Sequence, residues 1–157
     1  MLPYDRPILL VLDDPSQASS VVTHLLRVGF DDVQGNLEGG IGAWEKAGYP
    51  LATLGTMSVH DPDRQRRSDR RLTVLDVRTV KEWNDGHIDG AIHIHGGQLQ
   101  ERFEGVPCDR PVVVVCGSGY RASIASSFLQ RNGIEDVTNV IGGMSAWKGA
   151  DLPTTNE

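Results

Sequence analysis

Pro111-Val112-Val113-Val114-Val115 is an unbroken apolar run that leads through Cys116-Gly117-Ser118-Gly119-Tyr120-Arg121 into a helix-patterned stretch, Ala122 to Arg131. A run of β-branched residues with no polar alternation predicts a strand buried on both faces, which belongs in a parallel sheet covered by helices. The passage has an earlier counterpart. Arg6-Pro7-Ile8-Leu9-Leu10-Val11 lies 104 positions before Arg110-Pro111-Val112-Val113-Val114-Val115, and the match continues through Ala18-Ser19, Leu25, Arg27, Gly29 and Asp32-Val33. After one extra residue near Gln34 and Gly35, Gly39-Gly40, Ala43-Trp44, Ala47 and Pro50 pair with Gly142-Gly143, Ala146-Trp147, Ala150 and Pro153. One structural unit is therefore expected twice, with the first copy lacking the counterpart of residues 57 to 109.

A strand that ends in cysteine, then a glycine loop, then a helix start favours negative charge on sulfur. The loop N–H groups can converge, and the helix's first turn adds unpaired N–H groups and positive potential. Cys116 is accordingly expected to be a nucleophile, with Gly117, Ser118, Gly119, Tyr120 and Arg121 forming the donor-binding loop. Gly117 and Gly119 permit the backbone turns, and Arg121 supplies a fixed charge for an anionic donor. In the first copy Leu12-Asp13-Asp14-Pro15-Ser16-Gln17 takes the place of Cys116 to Arg121. It has no thiol, and two carboxylates would repel an anion, so that copy is expected to be catalytically inactive. Asp13 and Asp14 read as an acidic turn before a helix start in preference to metal ligands.

The chain has 157 residues, a formal net charge of −6 and 39% hydrophobic residues, which fits one globular unit or one domain plus a fragment. Its first apolar run, Ile8 to Leu12, is too short to span a bilayer and lacks the flanks of a secretory signal. The expectation is a soluble, cytoplasmic protein with no membrane partner. Net acidity argues against nucleic-acid binding. Arg64, Arg66, Arg67, Arg70 and Arg71 cluster locally among acidic and polar residues, which reads as a solvated linker in preference to an anion- or partner-docking patch. Cys108 and Cys116 are not expected to pair, because an extended Pro111 to Val115 at roughly 3.3 Å per residue separates them by well over the ~7 Å limit for bridged Cα atoms.

Further elements fit the same architecture. Leu72 to Val77 reads as a buried strand, Thr79 as an N-cap before a short helix through Glu82-Trp83, Gly86 to Gly90 as a turn and Ala91 to Ile94 as a second strand. A polar helix around Leu99 to Phe103, a strand near Val137 to Ile141 and a helix from Met144 to Lys148 complete the pattern. The predicted fold class is α/β, a parallel sheet flanked by helices on both faces, preceded by a partial copy of the same fold. The expected domains are residues 1–56 and 57–157.

Leu75-Asp76-Val77-Arg78, Glu82-Trp83, Gly86-His87-Ile88, Gly90-Ala91, the Cys116 to Arg121 loop and Gly142-Gly143-Met144-Ser145-Ala146-Trp147 resemble the motifs of the rhodanese-like sulfurtransferases, in the expected order. The resemblance covers residues 57 to 153, and residues 6 to 50 are similar to the back half of a second, inactive rhodanese repeat. Tandem repeats of this kind also follow metallo-β-lactamase-like persulfide dioxygenase domains, so a fused or associated dioxygenase is an expected partner. The resemblance implies that Cys116 cycles between thiolate and persulfide. Sulfur would pass from a small-molecule donor, thiosulfate or a low-molecular-weight persulfide, to a thiophilic acceptor, with no cofactor.

Two other classes compete. A cysteine-dependent phosphatase or arsenate reductase would place five residues between cysteine and arginine, whereas Cys116 and Arg121 are separated by four. A noncatalytic sulfur carrier or regulatory module is the other, and the intact Cys116 loop argues against it. Asp76 and Arg78 are supporting candidates, as an ion pair or turn bond bracing the sheet edge in preference to direct chemistry. His87 reads as a turn brace, and His93 and His95 lack the third nearby ligand a metal site needs. Trp44 and Trp147 are expected to anchor the last helix of each copy. Because the Ile8 strand would expose an unpaired edge, the first copy is expected to pack on the intact copy or on a second chain in a homodimer, and the chain to be part of a longer parent.

Overall fold

The computed structural model describes residues 4–62 and 72–157. The chain divides into two compact units, Met1–Ala52 and Thr53–Glu157. That border falls four residues before the expected one, because Gly55–Met57 forms a strand of the second unit.

In the first unit, β1 (Ile8–Leu10) runs parallel to β2 (Val33–Asn36) in a two-stranded sheet. Helix α1 (Ala18–Arg27) lies between them in sequence and α2 (Gly40–Lys46) follows β2. Asp14 does what an acidic turn before a helix does, accepting from the Ser16 N–H at 2.9 Å to cap a short 3-10 turn, Pro15–Gln17. Hydrogen bonding to the Ser16 side chain first, and to its N–H second, holds the Asp14 carboxyl below the usual range. Two strands cover little, and Leu10 is the unit's one buried large apolar side chain among the described residues.

The second unit carries β3 (Gly55–Met57), β4 (Thr73–Asp76), α3 (Val80–Asn84), β5 (Ile92–His93), β6 (Val112–Val115), α4 (Tyr120–Arg131), β7 (Val137–Val140) and α5 (Gly143–Gly149). The sheet is parallel throughout, in the order β3-β7-β6-β4-β5, so β6 is the middle strand. Its four valines are at most 1% exposed. They alternate between two cores: Val112 and Val114 pack with Leu75, Ala125 and Leu129 on the α4 side, and Val113 and Val115 with Ile88, Met144 and Trp147 on the α5 side. This is the doubly covered sheet predicted from the sequence. Cys116 continues the alternation onto the α4 side, fully buried.

The expected polar helix at Leu99 to Phe103 is replaced by two 3-10 turns, Gly96–Gln98 and Phe103–Gly105. Glycines at 96, 97 and 105 disfavour a helix there, and neither turn has a side-chain cap. The arginine cluster from Arg64 to Arg71 lies outside the described residues.

Candidate active site

The carboxyl end of β6 delivers Cys116 into the loop predicted from sequence. Gly119, at φ 99°, makes the turn into α4, and its N–H lies 3.1 Å from Cys116 Sγ. The Ala122 N–H, in the first turn of α4 and free of any helical partner, reaches Sγ at 3.3 Å. Two backbone donors thus converge on one sulfur in a dry setting, where such dipoles act most strongly. Ser118 and Tyr120 face outward on the same loop.

A second helix clamps the loop from behind. The Met144 N–H donates to the Cys116 carbonyl at 2.7 Å and the Ser145 N–H to the Gly117 carbonyl at 2.9 Å. The approach is so close that a Cβ on Gly143 would lie 2.2 Å from the Cys116 carbonyl oxygen, and Gly143 itself sits at φ 51°. Only glycine fits there. These two bonds fix the backbone path at Cys116 and Gly117, from which the loop turns to bring the Gly119 and Ala122 N–H groups onto the sulfur. The Asn139 amide adds a bond to the Gly119 carbonyl at 3.2 Å.

Arg121 stands at the rim, but its charge is not open as expected from the sequence. Glu82, in α3, grips the guanidinium with both carboxylate oxygens, at 2.6 and 2.8 Å. Glu82 is held in turn by a capping box. It accepts from the Thr79 N–H at 3.1 Å and hydroxyl at 2.8 Å, while Thr79 Oγ1 accepts from the Glu82 N–H at 3.3 Å. The Arg121 contact, aided by the Thr79 bonds and opposed by partial burial, holds the Glu82 carboxyl far below the usual carboxylate range. Arg121 is correspondingly raised, first by Glu82 and secondarily by the Cys116 sulfur.

Asp76 and Arg78 do not meet the sulfur in any described bond. They form a buried pair at 2.7 Å, and Arg78 Nη2 also donates to the Gly86 carbonyl at 2.9 Å, tying the end of β4 to the turn after α3. His93 Nε2 bonds the Arg78 carbonyl at 2.8 Å, and Trp83 stacks on His87 at 3.5 Å and on His93 at 4.8 Å. These bonds brace the α3 platform that presents Glu82. Among the described residues no group of His, Cys, Asp and Glu has the makings of a metal site. Cys108 is exposed, at the opposite end of β6 from Cys116, beside an open cleft of about 420 Å³.

The Glu82–Arg121 pair and the α5 clamp were not read from the sequence. The capping box Thr79-Val80-Lys81-Glu82 marks a helix start but carries no sign of a partner 39 residues away. Gly142-Gly143 marks a turn, without naming what it packs against.

A buried cysteine on the middle strand of a parallel sheet, under a cradle of loop N–H groups, defines a rhodanese-like site. Residues 62–150 match the family model of the rhodanese-like domain, and the chain belongs to that family. It is 34% identical over 87 residues to the thiosulfate sulfurtransferase GlpE of Shewanella oneidensis, covering 55% of this chain and 86% of that protein. It is also 34% identical over 82 residues to YrkF of Bacillus subtilis, whose name marks it provisionally as a sulfur carrier protein; the match spans 52% of this chain but only 44% of YrkF. Among solved structures, a rhodanese-related protein from Thermoplasma volcanium aligns with a TM-score of 0.62 at 28% identity, over 66% of this chain and 100% of that one. A thiosulfate sulfurtransferase from Pseudomonas aeruginosa shares the fold over 97% of this chain and 33% of its own, with a TM-score of 0.57 at 21% identity. No described helix is long and apolar enough to cross a membrane.

Proposed function

We propose that the second unit is a sulfurtransferase that carries sulfane sulfur on Cys116, from thiosulfate or a low-molecular-weight persulfide to a thiophilic acceptor. The observation that supports this most is the pair of N–H groups on Cys116 Sγ at 3.1 and 3.3 Å. They point at the atom that carries charge as Cys116 attacks or leaves, and remain in place to hold the terminal sulfur of a persulfide. In the first half-reaction the thiolate attacks the donor's outer sulfur. The new Sγ–S bond forms as the donor's sulfur–sulfur bond breaks, and sulfite or a thiolate leaves with the electron pair. In the second, cyanide, sulfite or a thiolate attacks the terminal sulfur and Cys116 leaves as thiolate. No external oxidant or reductant is needed.

The name of the Shewanella relative is consistent with this reading. Four residues between Cys116 and Arg121, together with an arginine already paired, count against a tetrahedral phosphate ligand. A carrier that only receives sulfur remains the second reading, favoured by the name of YrkF. Intact-protein mass spectrometry after exposure to thiosulfate, glutathione persulfide and mercaptopyruvate in turn tests the proposal. One added sulfur, removed by cyanide with release of thiocyanate in repeated turnover, is the expected result. A single uptake without turnover would point to the carrier, and no uptake from any donor would end the sulfurtransferase reading.

A further inference from the structure

Thiosulfate and an alkyl persulfide deliver the same sulfur but very different charge. Thiosulfate brings two negative charges to the mouth of the site, while an alkyl persulfide brings at most one on its sulfurs and releases an alkyl thiolate. The rim cation that would receive a dianion is Arg121, and Glu82 occupies its Nη1–Nη2 edge with a bidentate, charge-neutralising contact. The pair lies directly against the cysteine loop: a Cβ on Gly117 would sit 3.0 Å from Arg121 Nη2 and 3.5 Å from Glu82 Oε1. Glu82 is not a loose surface carboxylate that swings aside, since its Oε2 is also fixed by the Thr79 N–H and hydroxyl. A dianion must therefore pull Arg121 away from a preorganised carboxylate or bind beside it. The chain's net charge of −6 works in the same direction at longer range.

Building on the sulfurtransferase reading, we infer that Glu82 is a specificity-determining residue that biases the Cys116 site toward alkyl persulfides and against thiosulfate. Glu82 acts on the donor through Arg121 and through its own charge, and takes no part in bond making. The backbone donors to the sulfur come from Gly119 and Ala122, independently of the Glu82 side chain.

The test uses the full chain, cyanide as acceptor, and two donors, thiosulfate and 2-hydroxyethyl persulfide. Glu82→Gln is the informative variant, since glutamine keeps the capping box while removing the charge. The ratio of kcat/KM for thiosulfate to that for the persulfide should rise at least about fivefold, the scale of one partly exposed charge pair, and should do so through KM for thiosulfate. Glu82→Ala, in which Thr79 still caps α3, should shift the ratio in the same direction. Equal losses with both donors, or a kcat change with no donor dependence, would reduce Glu82 to a structural prop and overturn the inference. Absence of sulfur on Cys116 from either donor in the parent protein would instead overturn the reading on which the inference rests.

Discussion

The loop after β1 and the loop after β6 are built alike and end differently. Each follows a parallel strand, and each is approached by a helix that begins with two glycines at positive φ, Gly39-Gly40 in one unit and Gly142-Gly143 in the other. A Cβ on Gly40 would lie 2.7 Å from the Leu12 carbonyl oxygen, as one on Gly143 would lie 2.2 Å from that of Cys116. Even the tryptophan anchors agree: Trp44 donates to the Pro50 carbonyl at 3.1 Å and Trp147 to the Pro153 carbonyl at 2.9 Å. What differs is the content. One loop holds Asp13 and Asp14 and caps its own 3-10 turn, while the other holds a sulfur under two N–H groups. The strand–loop–helix frame is therefore not the chemistry. It fixes a backbone path on which a thiol and its donors have to be placed.

The comparison breaks most sharply at the sulfur. Cys116→Ser should abolish sulfur loading in the mass assay, while Cys108→Ser, at the far end of β6, leaves it intact. Equal loss in both would mean the two thiols act together. The next largest effect separates the two glycine contacts. Gly143→Ala forces a methyl group into the Cys116 carbonyl at a strained φ, and should cost about 3 kcal/mol of the second unit's stability along with most of the loading rate. Gly40→Ala creates the same clash without a thiol nearby and should leave loading unchanged, with its cost seen only in hydrogen exchange of residues 4–52.

Smaller differences sharpen the contrast in packing. Trp147 is fully buried and Trp44 is 38% exposed. Trp147→Phe should lose about 1 to 2 kcal/mol in urea unfolding, and Trp44→Phe no more than about 0.5. The smallest effect belongs to acid. The folded Glu82 carboxyl is depressed relative to its ordinary value near 4.5, so its contribution is complete above that value and fades as pH falls below it. Urea midpoints of the parent should therefore drop more between pH 6 and pH 4 than those of Glu82→Gln. Parallel drops would show that the pair gives no net stability at the rim.

Local chemistry was legible in the sequence and distant pairing was not. The valine run gave β6, Thr79 gave the start of α3, and the glycine loop gave the sulfur cradle, because each depends on neighbours within a few residues. Strand β3 escaped notice since Gly-Thr-Met has no strand periodicity; it exists by pairing along the open edge of β7. The Leu99 to Phe103 segment had helix-like polarity, but its flanking glycines won. Arg121 was legible as a rim cation, whereas its neutralisation by Glu82 requires knowing that α3 and α4 begin side by side. The same holds for the α5 clamp, in which carbonyls of one loop meet N–H groups some 28 residues onward.

Cys116 belongs to the same apolar cluster as Val112, Val114 and Leu129. In the proposed cycle Cys116 stays in that cluster while the sulfur atom it carries is held under the loop N–H groups, where an acceptor meets it. The unfolded chain offers that atom no cradle, so by linkage loading and folding are coupled equilibria. A cargo-bearing molecule would melt at a different temperature from an empty one, and heat alone would spill the cargo to whatever thiols are in solution.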